Sequence, residues 1–298
     1  MSINSARQGE VLKKTALFLV SILILVFTLS PIVWMVICSF IPDPELYQTP
    51  PLFFPTKLYI GNYQFLWGTE AVELTGGTPG VFAAARNMLT SVGNSLIVGI
   101  SVTVICLILG LFSAYSFARV PMRGSGKLLF YVFFSRLLPQ VAILVPIYVI
   151  IQALNLLNTL LAIILVHTAF AIPFFVWVLF VYFKSIPQSI EDAARIDGCS
   201  RFQQLRKITL PISKPGLIAA SIFAFMTSYN EFLFASTLSN TIVSRTAAAT
   251  LTAVAQGMGR YSVALFMACD VVTILPPLAL VLIFRRQVME GLVTAFRR

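Results

Sequence analysis

Long uncharged stretches alternate along this chain with short segments rich in Lys and Arg. The first, 15–41, holds 27 residues after Arg7, Lys13 and Lys14, more than the roughly 20 that a helix needs to cross the hydrocarbon core of a membrane. It is too long for a signal-peptide core and no small-residue cleavage pattern follows, so it reads as an uncleaved anchor. A second stretch between Arg86 and Arg119 predicts a helix at 90–117. The uncharged run from Arg136 to Lys184 fits two more, 128–152 and 159–183, parted near Asn155 and Asn158. Pro215 opens a fifth at 215–238, and a sixth follows at 261–284. Pro139, Pro146 and Pro173 fall inside the third and fourth helices, where each frees a carbonyl that a neighbour must satisfy.

The interruptions are as informative as the helices. From 42 to 86 the chain is rich in Pro, Gly and aromatics, with Asp43, Glu45, Glu70 and Glu73. Such irregular backbone cannot lie exposed in lipid, so it forms an aqueous loop. The longest polar segment of the remainder is SIEDAARIDGCSRFQQLRKITLPISKPGL, Ser189 to Leu217. Ser189 with Asp192, and Ser200 with Gln203, predict two capping boxes. Gly198 supplies a left-handed corner between the two helices, and Thr209-Leu210-Pro211 closes the second. Ile190, Ala193, Ala194, Phe202, Leu205 and Ile208 then share an inner face, which leaves Glu191, Arg195, Arg201 and Arg206 toward water or a partner. From spacing alone, this hook is either a solvated spacer or a docking element.

Composition removes most other function classes. With 58% hydrophobic and 11% charged residues, the chain lies outside the range of soluble domains and is an all-α integral membrane protein with six spans. Its net charge of +10 does not point to nucleic acid, because the basic residues cluster between apolar runs. With the N-terminus inside, inner segments hold sixteen Lys and Arg and outer segments four. That bias places both termini (1–14 and 285–298) and the hook (184–214) in the cytoplasm. The loop 42–86 is then external, and 87–284 is a core of five spans. Cys38, Cys106, Cys199 and Cys269 show neither disulfide nor zinc spacing. The string Gly124-Ser125-Gly126-Lys127 lacks the first glycine of a phosphate loop, because Pro121 stands there, and Leu128 replaces its Ser or Thr. No catalytic set, metal cluster or cofactor site can be assembled, and no ATP site is visible.

Three charges fall in or near apolar runs: Arg136, Glu231 and Asp270. Each costs on the order of 2.5–3.5 kcal/mol at a span centre, so each should face a partner or a water-filled cavity. Asp270, near the middle of the sixth helix, is a substrate-path candidate or an interhelical hydrogen-bonding group. His167, the single histidine, reads as a packed, hydrogen-bonded core residue.

The hook also carries a resemblance. Glu191-Asp192-Ala193-Ala194, with Asp197-Gly198 following and Leu210-Pro211 behind, resembles the coupling loop of bacterial ABC importer permeases. The form ARIDG then LPISKPGL is similar to the maltose-type carbohydrate branch. The segments YNEFLFASTL, with Tyr229 where Trp is usual, and LLPQVAILVPIYVIIQALNLLN also resemble that branch. The likeness runs from about Asn87 to Val293; Asp192 replaces a small residue, and 239–259 and the tail GLVTAFRR depart from it. It implies a six-helix permease of an importer for a sugar or sugar-like solute, without ATPase activity of its own. The implied partners are a second related permease, two ATP-binding cassette subunits, which bind the ATP, and an extracytoplasmic substrate-binding protein. Glu191, Asp192, Ala193, Ala194, Asp197, Gly198, Leu210 and Pro211 would couple to the ATPase. Tyr229, Asn230, Glu231 and Asp270 would lie along the substrate path. The competing reading is a self-sufficient secondary transporter or channel that uses Asp270, Glu231 and Arg136 as a relay.

Overall fold

A computed structural model describes residues 2–49, 54–55, 57–68, 79–258 and 263–296. Among the described residues every regular element is a helix, and there are no strands. Two compact units divide them, 1–86 with 254–271, and 87–253 with 272–298.

The first unit begins with α1 (Ser2–Ser39), followed by the short α2 (Asp43–Leu46), α3 (Gly61–Trp67) and α4 (Pro79–Arg86). Most of the apolar surface of α1 is exposed, as for a helix that faces lipid. Buried polar residues hold the connection after it. Ser39 Oγ lies 2.7 Å from the Tyr63 hydroxyl, and Asn62 donates to the Ser39 carbonyl at 3.0 Å. The Asp43 carboxylate accepts the backbone N–H of Ala264 at 2.8 Å, just inside a helix that starts at Val263. Burial raises the Asp43 pKa, opposed by the N–H groups of Ala264 and Val263. Glu70, Glu73 and Arg260 lie outside the described residues.

The second unit carries the bundle. Helix α5 (Met88–Ile105) passes through a π turn (Cys106–Gly110) into α6 (Leu111–Arg119), one span in place of the predicted 90–117. Next come α7 (Ser125–Phe134), a 3₁₀ turn (Ser135–Leu137), α8 (Gln140–Ala153) and α9 (Leu160–Ser185). The hook follows as α10 (Gln188–Ile196), α11 (Arg201–Gln204), a second π turn (Leu205–Thr209) and α12 (Leu210–Ile212). The remainder is α13 (Lys214–Tyr229), α14 (Leu233–Leu238), α15 (Ala247–Gln256) and α16 (Val263–Phe296), whose first turns belong to the first unit. The core joins Val98, Val102 and Cys106 to Ala114, Tyr115, Phe175, Leu179, Phe183, Ala220 and Ala224. Small residues let these helices approach closely: a Cβ added at Gly110 would meet the Phe175 ring at 2.5 Å, and one at Gly99 the Phe225 ring at 2.9 Å.

Several predicted boundaries move for identifiable reasons. The helix expected over 128–152 is a pair bent by 93°, and Pro139 is the N-cap of α8 and not an interior residue. Leu138, pushed out of the helical region by the proline that follows it, has ψ 127°. Pro146 and Pro173 do lie inside helices. The expected fifth helix stops at Tyr229, and the chain restarts at Leu233. In the hook the helix starts at Gln188 behind Pro187, so Ser189 sits in its first turn and caps nothing. The second hook helix does not close before Pro211. It continues to Ile212, and the 81° bend into α13 falls at Ser213. Asn155 and Asn158 adopt left-handed backbone, φ 55° and 61°, a conformation that Asn tolerates better than most residues.

Candidate functional site

The hook is built around one buried carboxylate. Glu191 is 2% exposed; its Oε1 accepts from Arg119 Nε at 3.0 Å and from Thr209 Oγ1 at 2.7 Å. Arg119 ends α6 and also donates through Nη2 to the carbonyls of Phe183 (2.8 Å) and Ile186 (2.9 Å). Arg119 and Glu191 together thereby tie the end of α6, the end of α9, α10 and the π turn before α12. This corrects the outward placement expected for Glu191. Such a pair is expensive to bury, and its attraction offsets that cost only when the remaining donors and acceptors are satisfied, as the two carbonyls and the threonine hydroxyl do here.

The corner itself is held by backbone. Gly198 has φ +82° with no atom within 4 Å of an added Cβ. The N–H of Cys199 bonds to the Ala194 carbonyl at 2.9 Å and that of Gly198 to Arg195 at 3.1 Å, the paired ending that favours glycine at this position. The predicted second capping box is present: Gln203 N–H donates to Ser200 Oγ at 3.3 Å and Ser200 N–H to Gln203 Oε1 at 2.8 Å.

With Glu191 inside, several of the apolar side chains turn out. Ala194 and Leu205 are buried as expected, but Ile190 is 41%, Phe202 60% and Ile196 87% exposed. Ala193, Asp197 and Pro211 are exposed, Leu210 is half-buried, and Asp192 pairs with Arg195 at 3.3 Å across a half-exposed gap. The hook therefore exposes several apolar side chains together with the basic residues Arg195, Arg201 and Arg206, on a base held by the Arg119–Glu191–Thr209 bonds.

A second polar cluster lies where α13 breaks. His167 on α9 is buried; its Nδ1 is 2.9 Å from Ser228 Oγ and its Nε2 2.8 Å from Glu231 Oε2. Glu231 also accepts the N–H groups of Phe234 (2.9 Å) and Ala235 (3.1 Å). It so caps the first turn of α14, where a negative charge is favoured. This capping explains why one predicted helix is two: the carboxylate satisfies N–H groups that a continuous helix would direct at carbonyls. Tyr229 is buried and donates to the Thr273 carbonyl at 2.9 Å, and Asn230 is exposed. Arg136 donates to the Phe170 carbonyl at 2.6 Å and lies 5.5 Å from the Phe174 ring centre, so its partners are not those of Glu231. Asp270 is half-buried and shows no hydrogen bond or ion pair among the described residues.

The family described as the inner membrane component of binding-protein-dependent transport systems matches residues 107–289, which include both clusters. The chain belongs to this family. Among relatives of this transport component, the sulfoquinovosyl glycerol transport system permease SmoH of Agrobacterium fabrum is 30% identical over 92% of this chain and 90% of its own length. The trehalose/maltose permease MalG of Thermococcus litoralis is 28% identical over 95% and 96%. In fold, the chain is similar to a bacterial ABC transporter involved in alginate import, with TM-score 0.69 and 21% identity, covering 100% of this chain and 99% of that one. It is also similar to the MetNI methionine transporter, with TM-score 0.53 and 19% identity over 69% and 94%.

Sequence reasoning missed two members of the hook clamp, Arg119 and Thr209. Arg119 was visible only as the charge that ends an uncharged run, and Thr209 only as a residue before Leu-Pro. Nothing local pairs either with Glu191, since 72 and 18 residues separate them.

Proposed function

We propose that this chain is the permease subunit of an ATP-driven ABC importer, forms half of a path for a sugar or sugar-like solute, and couples to separate ATPase subunits through the hook. The observation that carries the reading is the hook's construction: three apolar side chains, Ile190, Ile196 and Phe202, left exposed, on a base fixed by the Arg119–Glu191–Thr209 clamp. Exposing such side chains on a rigid element suits a docking surface. A rigid base is also what a lever needs: force applied to α10 passes through Arg119 to the ends of α6 and α9, two helices of the bundle. Closure of the ATPase pair would then bias the bundle between its inward-open and outward-open states. Glu191, in this reading, positions the hook and does not contact the ATPase; Ile190, Ala193, Ile196 and Phe202 make the contact, and Gly198 sets its angle.

The carbohydrate class is supported by the names of the relatives, which transport sulfoquinovosyl glycerol and trehalose or maltose. The implied assembly comprises a second related permease, two ATP-binding cassette subunits and an external binding protein, with both termini of this chain in the cytoplasm. Tyr229, Asn230, Glu231 and Asp270 remain the proposed path residues; of these Asn230 is exposed and free to meet solute, whereas Glu231 is held by His167 and the α14 turn.

The test is co-purification from the native membrane. The wild-type chain should bring an ATP-binding cassette subunit, and Ile196→Asp with Phe202→Asp should insert normally but bring none. A doubly substituted chain that retained the ATPase and normal uptake would sink the hook as the docking element.

A further inference from the structure

A cleft of about 600 Å³ opens beside the base of the hook. Five basic side chains line it, those of Arg119, Arg123, Lys184, Arg195 and Arg201, and no acidic one does. Two of the five are matched, Arg119 by Glu191 and Arg195 by Asp192. Arg123 and Lys184 have no hydrogen-bond or ion-pair partner among the described residues. The one bond of the Arg201 guanidinium is to the Arg119 carbonyl, at 3.3 Å. Three cations thus converge on one concavity without a counter-charge, an arrangement that repels itself unless an anion enters.

The level of the cleft says where that anion comes from. Arg119 and Ser185 end two of the candidate spans and Ser125 begins another; the lining includes Arg119, Lys184 and Ser125. The cleft therefore lies where hydrocarbon gives way to water, the height of lipid phosphates. Apolar side chains continue from its rim, with Met122 39%, Leu128 55% and Tyr131 67% exposed, as acyl chains beneath a bound headgroup require. Basic pockets between spans on the cytoplasmic side take anionic headgroups. The charge bias of the chain puts this end in the cytoplasm.

We propose that this cleft binds the phosphate of an anionic membrane lipid, with Arg123, Lys184 and Arg201 as its ligands. The proposal does not depend on which solute or ATPase the chain serves, and it is tested on this chain alone.

The full chain, purified in a nonionic detergent, is titrated with dioctanoyl phosphatidylglycerol, dioctanoyl phosphatidylcholine or inorganic phosphate, and the melting midpoint is followed. Phosphatidylglycerol should raise the midpoint and phosphatidylcholine should not. The double substitution Arg123→Gln with Lys184→Gln should weaken the phosphatidylglycerol response about 30-fold, the loss that two surface cations give. Lys13→Gln with Lys14→Gln removes the same charge elsewhere and should leave it intact. Arg123→Lys with Lys184→Arg should retain binding, which separates lost charge from misfolding. An equal response to inorganic phosphate upholds the phosphate site and overturns the lipid as its source. A phosphatidylglycerol response unchanged in the Gln pair overturns the site, as does loss of ATPase co-purification in that pair without loss of the lipid response, which would assign the cleft to an acidic segment of the ATPase.

Discussion

Replacing Glu191 with Ala removes the carboxylate on which the hook is assembled, and the consequence can be worked from its contacts. Glu191 Oε1 accepts from Arg119 Nε and Thr209 Oγ1, and both it and Arg119 are buried, with side-chain exposures of 3% and 6%. Breaking a buried pair by deleting one partner costs about 3–5 kcal/mol, because the survivor is left charged and unmatched. Arg119 keeps its bonds to the Phe183 and Ile186 carbonyls, which places the expected cost toward the lower end. The loss is local: α10 packs on the bundle through little besides Glu191 and Ala194, its two buried residues. The hook should therefore open while the spans stay folded. Amide hydrogen exchange reads this directly. Protection across Asp192 to Cys199 should fall by about a hundredfold or more, at a factor of ten for each 1.4 kcal/mol, while protection in α9 changes little. Thr209→Val removes one hydrogen bond to a charged group, about 1.5–3 kcal/mol, and should lower protection by tenfold to a hundredfold. If the Glu191→Ala hook exchanged within threefold of wild type, the clamp would not be what holds it, and the lever argument built on it would fail.

Other substitutions separate strain, docking and capping. An added Cβ at Gly198 meets no atom, so the cost of Gly198→Ala is backbone strain alone at φ +82°, about 1–2 kcal/mol; insertion should persist while uptake uncouples from ATP hydrolysis, measured in proteoliposomes holding the assembly. Ile196→Asp changes a side chain that is 87% exposed and should shift stability by no more than about 0.5 kcal/mol, yet abolish co-purification of the ATPase. Glu231→Ala deprives His167 and two α14 N–H groups of their acceptor and should cost about 1.5–3 kcal/mol, seen as a lower melting midpoint in detergent; an unchanged midpoint would leave the α14 restart unexplained. Because the Asp43 pKa is raised by burial, the folded chain holds that proton more tightly than the unfolded chain. The residue's contribution is full below the unfolded carboxylate range and declines as pH rises through the raised folded value, a slope that Asp43→Asn should remove from melts taken across pH.

What could be read from the sequence divides along a physical line. Spans were legible because the penalty for a charge in hydrocarbon is large and local, so 90–117 and 159–183 match α5–α6 and α9 closely. The corner at Gly198 and the capping box at Ser200 were legible for the same reason, since each is settled within four residues. The orientation of the hook was not. Amphipathic spacing assumes that apolar side chains face inward, but here a carboxylate is buried by an arginine from a distant span, and Ile190 and Phe202 are turned out. The break after Tyr229 was hidden similarly: Glu231 looks like a charge in need of a cavity until its bonds to His167 and to the α14 backbone are seen. His167 itself, expected as a hydrogen-bonded core residue, is buried against Ser228 and Glu231.

The Arg119 guanidinium reaches Glu191 through its side chain, which Thr209 also holds, but Phe183 and Ile186 through main-chain carbonyls. Those two kinds of contact tolerate change differently. A saturation library should find the limits at Phe183 and Ile186 set by their buried packing and not by the clamp, which uses only their carbonyls, and should find the clamp itself intolerant at 119 and 191. The chain thus fixes the end of α9 by where its backbone runs, so side chains at 183 and 186 can vary as far as their own packing allows without breaking the Arg119 contacts.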